Sequence, residues 1–447
     1  MGKSSDSVVI LAAGDGTRLK SELPKVFHKI GGLSLVDHVI SSAKKIDPTE
    51  IVVVLKPGYG SGHLEFGVGV KIAHQMEPRG TGDAAKCGLR ALLDNSDDGW
   101  VYVLYGDVPL VTPESLLKLA EVARTCEKTA AVLLAMVSNS STDLGKLISV
   151  GEPGITAGVV EAKEASKYDN VTSLCNAGLL LKKKLLKEMI DEIKPSPVTG
   201  EYYITDLVRM VHEVGYVSRY LVGDGRELSG VNSMVDMAIL EGYFQEKMRR
   251  WHMDNGVRLV APETVFFCHD TIIEQDVIVH PYVVFLKNVR LKSGSRIGPF
   301  CVVEGAEVDN SQIGPFARLR PETEVHAGAT VGNFVEVKNS IVGENVRVNH
   351  LSYIGDSCIG ENSNIGAGTI TCNYDGFHKH RTAIGRNVFV GSNSALVAPV
   401  VLGDDALIGA GSVVVKDVDA GDLVVARCRQ RNIAGGAIAV KKSKSGK

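Results

Sequence analysis

Residues 7–25 read SVVILAAGDGTRLKSELPK. The apolar run Val8–Leu11 has the length and β-branched content of a short buried strand. It breaks into Ala12-Ala13-Gly14-Asp15-Gly16-Thr17-Arg18, where residues without a Cβ let the backbone turn sharply and approach a ligand. Successive amide N–H groups in such a turn can cradle a phosphate. Arg18 and then Lys25, directly after Pro24, add two positive charges. An ordinary strand-to-helix turn would account for the glycines alone, but a strand, a glycine turn and two cations together look like a site for a nucleoside triphosphate. Two familiar loops are excluded. There is no G-x-x-x-x-G-K-[ST] run, and Leu19 stands where a dinucleotide loop needs its third glycine.

The chain of 447 residues is long enough for two or three domains, and 44% hydrophobic residues supply a sizeable core. A net charge of -3 argues against a general nucleic-acid binder. No apolar run reaches the length of a membrane span, and MGKSSDSVV lacks a signal-peptide core. Asp6 occupies the position where a myristoylation site needs Ser or Thr. Eight scattered cysteines without a C-x-x-C pair favour reduced thiols in a cytoplasm over a disulfide frame or a zinc site.

Over the first ~230 residues strand-like and helix-like runs alternate, the pattern of an α/β domain with a mainly parallel sheet. The strands are expected at Val8–Leu11, Ile51–Leu55, Val101–Leu104, Ala130–Ala135 and Leu179–Leu181, with helices such as Leu35–Lys45 and Pro113–Cys126 between them. Ligands bind such sheets at the carboxyl ends of strands. Gly14 falls there, and so do Gly106 and Asp107 in VYVLYGDVPL. Asp107 either caps a turn or holds a metal; nucleotide transfer needs a hard cation to offset triphosphate charge, and magnesium takes oxygen ligands.

L-A-A-G-x-G-T-R followed six residues on by P-K resembles the signature of sugar nucleotidyltransferases, and further segments extend the likeness in order. The resemblance implies that Leu11, Ala12, Ala13, Gly14 and Lys25 bind UTP, and that Gln75, Gly80 and Thr81 read the uracil ring. It further implies that Tyr105, Gly106, Gly145, Glu161 and Asn176 lie on the nucleotide and sugar side, with the stretch Glu201–Asp206. Asp107 and Asn232, the latter in Gly230-Val231-Asn232, would hold Mg2+, while Arg18 and Lys25 act as catalytic cations. One departure is plain: Leu144-Gly145-Lys146 replaces the family's Tyr-Gly-Arg.

After Asn232 the texture changes. Ser233 and Asp236 resemble a capping box, and one long helix is expected to about Met253, ended by Asn255-Gly256. It reads equally as a linker or as the last helix of the first domain. From Ile273 an apolar residue recurs every six positions: Ile273, Val279, Phe285, Leu291, Ile297 and Val303, and again from Ile313 through Val414. A period of six with small residues at the turns predicts a parallel β-helix of hexapeptides, three to a coil, with the ladder residue inward. Ordinary alternating strands cannot produce so many six-residue steps. Two breaks interrupt the ladder, one between Val303 and Ile313 and one at Thr371–Ala383, TCNYDGFHKHRTA. An insertion in a solenoid projects as a loop, often on a binding face.

The series GNFVEVK, NHLSYIGD and NIGAGTITCNYDG, on what resembles a left-handed β-helix, resembles the acetyltransferase half of the bifunctional enzymes that make UDP-N-acetylglucosamine. Asn349 replaces that family's usual Gly before the histidine. The resemblance implies His350 as general base, Arg320 and Lys338 on the phosphate of glucosamine 1-phosphate, and Tyr353, Asn364, Asn373 and Tyr374 around the sugar. Ser392, Ala410 and Arg427 would meet acetyl-CoA. It implies four small-molecule substrates (UTP, N-acetylglucosamine 1-phosphate, glucosamine 1-phosphate and acetyl-CoA), a homotrimer with shared acetyl sites, a bacterial cytoplasmic setting, and neither nucleic-acid nor membrane partners. The expected organisation is a uridyltransferase domain over 1–232, a helix over 233–254, a β-helix over 255–427 and a basic mobile tail over 428–447. Two rivals remain at this point: a single-activity pyrophosphorylase whose β-helix only oligomerises, and a scaffold with a dead nucleotide domain.

Overall fold

An unbroken apolar strand is stable only where both faces of its sheet are covered. The computed structural model, which describes residues 5–92, 97–137, 145–161, 164–165, 168 and 170–445, gives the first strand that setting. The chain divides into two compact units, Met1–Glu246 and Lys247–Lys447. In the first, the strands are β1 Ser7–Leu11, β2 Lys29–Ile30, β3 Leu33–Ser34, β4 Glu50–Leu55, β5 Lys71–His74, β6 Trp100–Tyr105, β7 Thr129–Val137, β8 Lys146–Ser149, β9 Thr156–Val160, β10 Val171–Lys182 and β11 Val217–Val222. The main sheet runs β11-β7-β10-β6-β1-β4-β5, with β8 and β9 branching from β10 and β2–β3 forming a separate hairpin. It is parallel except around β10, which is antiparallel to both neighbours. Ile10 pairs with Val53 on one side and Leu104 on the other, at the middle of the sheet. Val8 and Ile10 enter one core layer, Val9 and Leu11 the other.

The helices are α1 Leu35–Lys44, α2 Thr81–Ala91, α3 Pro113–Arg124, α4 Lys183–Met189, α5 Asp206–Glu213, α6 Gly225–Leu228, α7 Met234–Asp254 and α8 Gly436–Ser445. Their starts follow local chemistry. The Ser34 hydroxyl accepts from Asp37 N at 3.1 Å to open α1, and Thr112 accepts from Ser115 N at 3.3 Å ahead of Pro113 in α3. Ser233 and Asp236 form the expected cap on α7: Asp236 N donates to the Ser233 hydroxyl at 3.2 Å, and the Asp236 carboxylate accepts from Asn232 N at 2.9 Å. The division between units falls inside α7.

The second unit is a left-handed parallel β-helix whose strands form three sheets of ten, eight and eight, successive strands joining successive sheets. Inward residues stack coil on coil, as Val279–Ile297–Ile313–Val331–Val348–Ile365 and Phe285–Val303–Leu319–Val337–Ile354. All belong to one buried core. The column begins earlier than the regular period, with Leu259 and Phe267 already inside. The break between Val303 and Ile313 is no projecting loop. Val308 sits inward there, paired with Leu291, so two five-residue steps shorten the coil without opening it. A second interior position, two residues before each ladder residue, takes small side chains such as Ser295, Ala317, Ser352 and Ser363. Their hydroxyls bond carbonyls of adjoining turns, Ser363 to Gly385 O at 2.8 Å for instance, which is why polar residues can stand inside. Turns pass through positive φ at Tyr282, Phe300, Phe316 and Phe334, whose exposed rings stack at 4.8, 4.9 and 5.1 Å. The segment expected as a mobile tail carries α8, its side chains from Ala437 to Lys444 all exposed. Among the described residues no helix is long and apolar enough to cross a membrane.

His252, at the end of α7 in the second unit, is fully buried and stacked on Phe267 at 4.7 Å. Neither ring nitrogen has a hydrogen-bond partner. Burial pushes its imidazole down from 6.5 to about 4. On acidification the unfolded chain takes up this proton first. Stability should therefore fall from about pH 6.5 and level off near pH 4, by about 3 kcal/mol at most. Urea midpoints across that range measure it, and His252→Phe is expected to remove this part of the slope.

Candidate active sites

The first site forms where β1, β6 and the segment before α7 end together. Gly106 N donates to Leu11 O at 2.8 Å and Val231 N to Asp107 O at 2.9 Å, bringing the three segments side by side. The loop after β1 turns at Gly16, φ 61°; a Cβ there would stand 2.5 Å from the Cβ of Lys25, so only glycine lets the lysine close over the loop. The Lys25 ammonium bonds the Asp107 carboxylate and lies 3.3 Å from Asn232 Oδ1, to which Arg18 also donates at 3.0 Å. An aspartate and an amide oxygen thus converge on a point that a cation occupies. That donor set fits a hard divalent ion such as Mg2+.

Arg18, Thr81, Tyr105, Asp107, Gly145, Glu161, Asn176 and Asn232 line one cavity of ≈ 170 Å³. Asn176 donates to the Tyr105 hydroxyl at 3.0 Å, and its own amide N–H reaches Gly145 O at 2.9 Å. Burial pushes the Glu161 carboxyl up to about 7, against a bond from the Thr205 hydroxyl at 3.4 Å. Gln75 spends its amide nitrogen on Gly80 O at 3.1 Å and Asp83 at 2.8 Å, which leaves its amide oxygen as an acceptor. Thr81 takes a bond from Ile204 N at 3.1 Å, tying the Gly80-Thr81 turn to the Glu201–Asp206 stretch. Of that stretch Tyr203 and Thr205 line the cavity, while Asp206 begins α5. Leu228, also in the lining, carries no sequence signal. Leu11, Ala12 and Ala13 are buried at the strand end beside Gly14. Lys146 opens β8 opposite Val160; Leu144 lies outside the described residues.

The second site uses the outer side of the β-helix. Register sets Arg318, Glu336, Tyr353 and Ile370 in one outward column. Arg320 donates to Val337 O through its backbone, so it and Lys338 flank each other on adjacent coils. Arg320 pairs with Glu336 at 2.9 Å, and Lys338 lies 3.7 Å from Asp356. Burial alone would raise the Asp356 carboxyl, but bonds from Asn339 and Asn373 and the Lys338 charge hold it below its usual value. Asn373 also lies 3.5 Å from the Tyr353 hydroxyl. Gly355, which sequence reasoning missed, makes room for this group: a Cβ would stand 2.5 Å from the Tyr353 oxygen and 2.8 Å from Asn373 Nδ2.

The insertion after Thr371 is a built turn. Tyr374 bridges to Lys379, and Asp375 accepts from Phe377 N at 2.7 Å and His378 N at 2.6 Å. Tyr374 itself is exposed, its hydroxyl on Gly376 O. His350 stands exposed at a neighbouring turn, its Nδ1 2.7 Å from Asn333 Oδ1. Asn364 lies on another sheet, opposite Arg347 and Phe389, separate from the Tyr353 column. Ser392 and Ala410 follow His350 along one edge, Gly411 N bonding Ser392 O at 2.8 Å, and Arg427 donates to Ala410 O at 2.7 Å.

A polar cavity at the strand ends of an α/β sheet and a cluster of ion-paired cations on a hexapeptide β-helix are the two sites of a transferase. Residues 8–141 match the MobA-like NTP transferase domain, residues 270–305 the bacterial transferase hexapeptide and residues 381–416 the hexapeptide repeat of succinyl-transferase. The chain is 43% identical to the bifunctional protein GlmU of Wolbachia pipientis wMel, covering 94% of this chain and 97% of that protein. It is 41% identical to that of Zymomonas mobilis, covering 96% of each, and 40% identical to that of Paramagnetospirillum magneticum, covering 98% and 97%. The chain belongs to the GlmU family of bifunctional proteins.

Gly355→Ala should displace Tyr353 and Asn373 while leaving the first site untouched. Thiol release from acetyl-CoA is expected to fall by about tenfold or more, with pyrophosphate release from UTP unchanged. Parallel assays of the two activities check it.

Proposed function

We propose how the two sites divide the work of this enzyme, a uridylyltransferase and glucosamine-1-phosphate acetyltransferase of UDP-N-acetylglucosamine synthesis. The convergence of Arg18, Asp107 and Asn232 on one cavity with Glu161 and Asn176, with Lys25 bonded to Asp107 and Asn232 beside it, carries the reading. In the first site an oxygen of N-acetylglucosamine 1-phosphate attacks the α-phosphorus of UTP, and pyrophosphate leaves. Arg18 neutralises charge on the leaving pyrophosphate, and Lys25 does so on the attacking and transferring phosphates. The Gln75 amide oxygen accepts from the uracil N–H. Glu161 and Asn176 hold the N-acetylated sugar. Asp107 and Asn232 would hold Mg2+, which when bound offsets triphosphate charge. Lys25 bonds both of these oxygens and would give them up to a bound ion.

In the second site Arg320 and Lys338 take the phosphate of glucosamine 1-phosphate, with Tyr353 and Asn373 on the sugar. His350 accepts the proton as the amine attacks the acetyl-CoA thioester. The carbon–sulfur bond breaks and the CoA thiolate leaves, to be protonated as the thiol. Ser392, Ala410 and Arg427 lie toward the CoA end. Hexapeptide β-helices with a projecting insertion suit a homotrimer, in which Tyr374, Asn364 and the CoA edge serve neighbouring copies; a native mass measurement tests this. The eight cysteines are scattered without a C-x-x-C pair, in keeping with a reducing cytoplasm.

Magnesium-dependent pyrophosphate release from UTP and N-acetylglucosamine 1-phosphate, together with thiol release from acetyl-CoA and glucosamine 1-phosphate, tests the pair of activities. Lys25→Met and Asp107→Ala are each expected to slow the first by about a hundredfold and spare the second. His350→Ala should do the reverse; thiol release surviving in that variant sinks the assignment of the base. Glu161, with its carboxyl raised to about 7, loses its carboxylate as pH falls through neutrality. The kcat/KM for the sugar phosphate should therefore decline below about pH 7, and Glu161→Gln should displace that limb.

A further inference from the structure

The ring of His350 is exposed, yet its backbone is clamped: Leu351 N bonds Asn333 O at 3.0 Å, Gly368 N bonds His350 O at 3.2 Å, and the Ser352 hydroxyl reaches the same oxygen at 2.9 Å. An exposed imidazole on a fixed backbone still has free rotamers and two tautomers. Register supplies what holds it. Asn333 and His350 end neighbouring parallel strands, one coil apart, and pair directly. Asn333 Oδ1 stands 2.7 Å from Nδ1. Among the described residues no carboxylate or cation bonds the ring. We propose that Asn333 is the positioning residue of the acetyl-transfer base, fixing the His350 tautomer with hydrogen on Nδ1 and the lone pair on Nε2. This rests on His350 being that base.

An amide oxygen only accepts, so with Oδ1 toward the ring Nδ1 carries the hydrogen; the other tautomer requires the amide to turn and present Nδ2 instead. A base needs its lone pair at the atom facing the substrate, and the tethered ring offers Nε2. Because the amide is neutral, it orients the imidazole without adding the negative charge that would bind a proton more tightly.

The repeat itself marks the position. One edge of the β-helix carries a proline before the first three positive-φ aromatics of the stack, at Pro281-Tyr282, Pro299-Phe300 and Pro315-Phe316. The fourth pair is Asn333-Phe334 and the fifth His350-Leu351. The aromatic stack continues through Phe334, so packing alone does not call for the change from proline to asparagine. It occurs one coil before the histidine.

The test uses full-length protein with 15N-labelled histidine. Long-range 1H–15N spectra should give His350 as the Nδ1–H tautomer, and Asn333→Ala should mix the two forms. In Asn333→Ala, kcat for acetyl transfer should fall by about 10- to 100-fold with KM for acetyl-CoA little changed and uridyl transfer intact. Asn333→Asp keeps the acceptor and adds a charge that favours the imidazolium. It should restore the tautomer and move the acidic limb of kcat/KM up by about one pH unit. An unchanged tautomer and kcat in Asn333→Ala, with His350→Ala inactive, overturns the positioning role alone. Thiol release persisting in His350→Ala overturns the base and its tether together.

Discussion

A strand inside a parallel sheet has both backbone edges committed to its neighbours, and a buried strand has its side chains committed to the core as well. In this protein that constraint leaves turns and outward columns as the places free to meet a ligand. β1 gives Val8–Leu11 wholly to two core layers, and its chemistry begins where hydrogen bonding to β4 and β6 stops. The hexapeptide coils give every inward residue to one column and keep only edges and outer faces. Both sites obey the same rule at different scales: three segments ending together in the first unit, and single residues repeated from coil to coil in the second.

Polar residues at those ends are held in networks that satisfy one another without substrate. Lys25 rests on Asp107 and Asn232, while Asn176 bonds Tyr105. In the second site Asp356 collects Asn339, Asn373 and Lys338. A carboxylate left unpaired at such depth would cost several kcal/mol, so an internal cation or amide takes the place a ligand contests. The arrangement keeps side chains near working geometry and sets the exchange that binding has to perform.

Much of this was legible from residues alone. The strand-turn-cation run before Lys25, the carboxyl-end position of Asp107 and the six-residue ladder each follow from a local rule, and each stands where that rule put it. Other features were not. Val308 fills what read as a gap because two five-residue steps still complete a side of the coil. Polar Ser295, Ser352 and Ser363 gave no apolar signal, yet they are buried because neighbouring turns accept their hydroxyls. β10 reads like any buried strand, and only its partners reveal that it runs antiparallel.

The sequence by itself determined two families of chemistry and their order along the chain, since a glycine turn with its cations and a hexapeptide period are properties of consecutive residues. Tertiary structure alone decided which side chains meet. Coils of unequal length slide the register from turn to turn, so residues far apart in number become neighbours only once stacking is known. That is how Asn333 comes under His350 and how Gly355 yields its space to Tyr353 and Asn373. In the first unit the same holds for Lys25, Asp107 and Asn232, which are joined across 82 and 207 residues by the order of strands in a sheet.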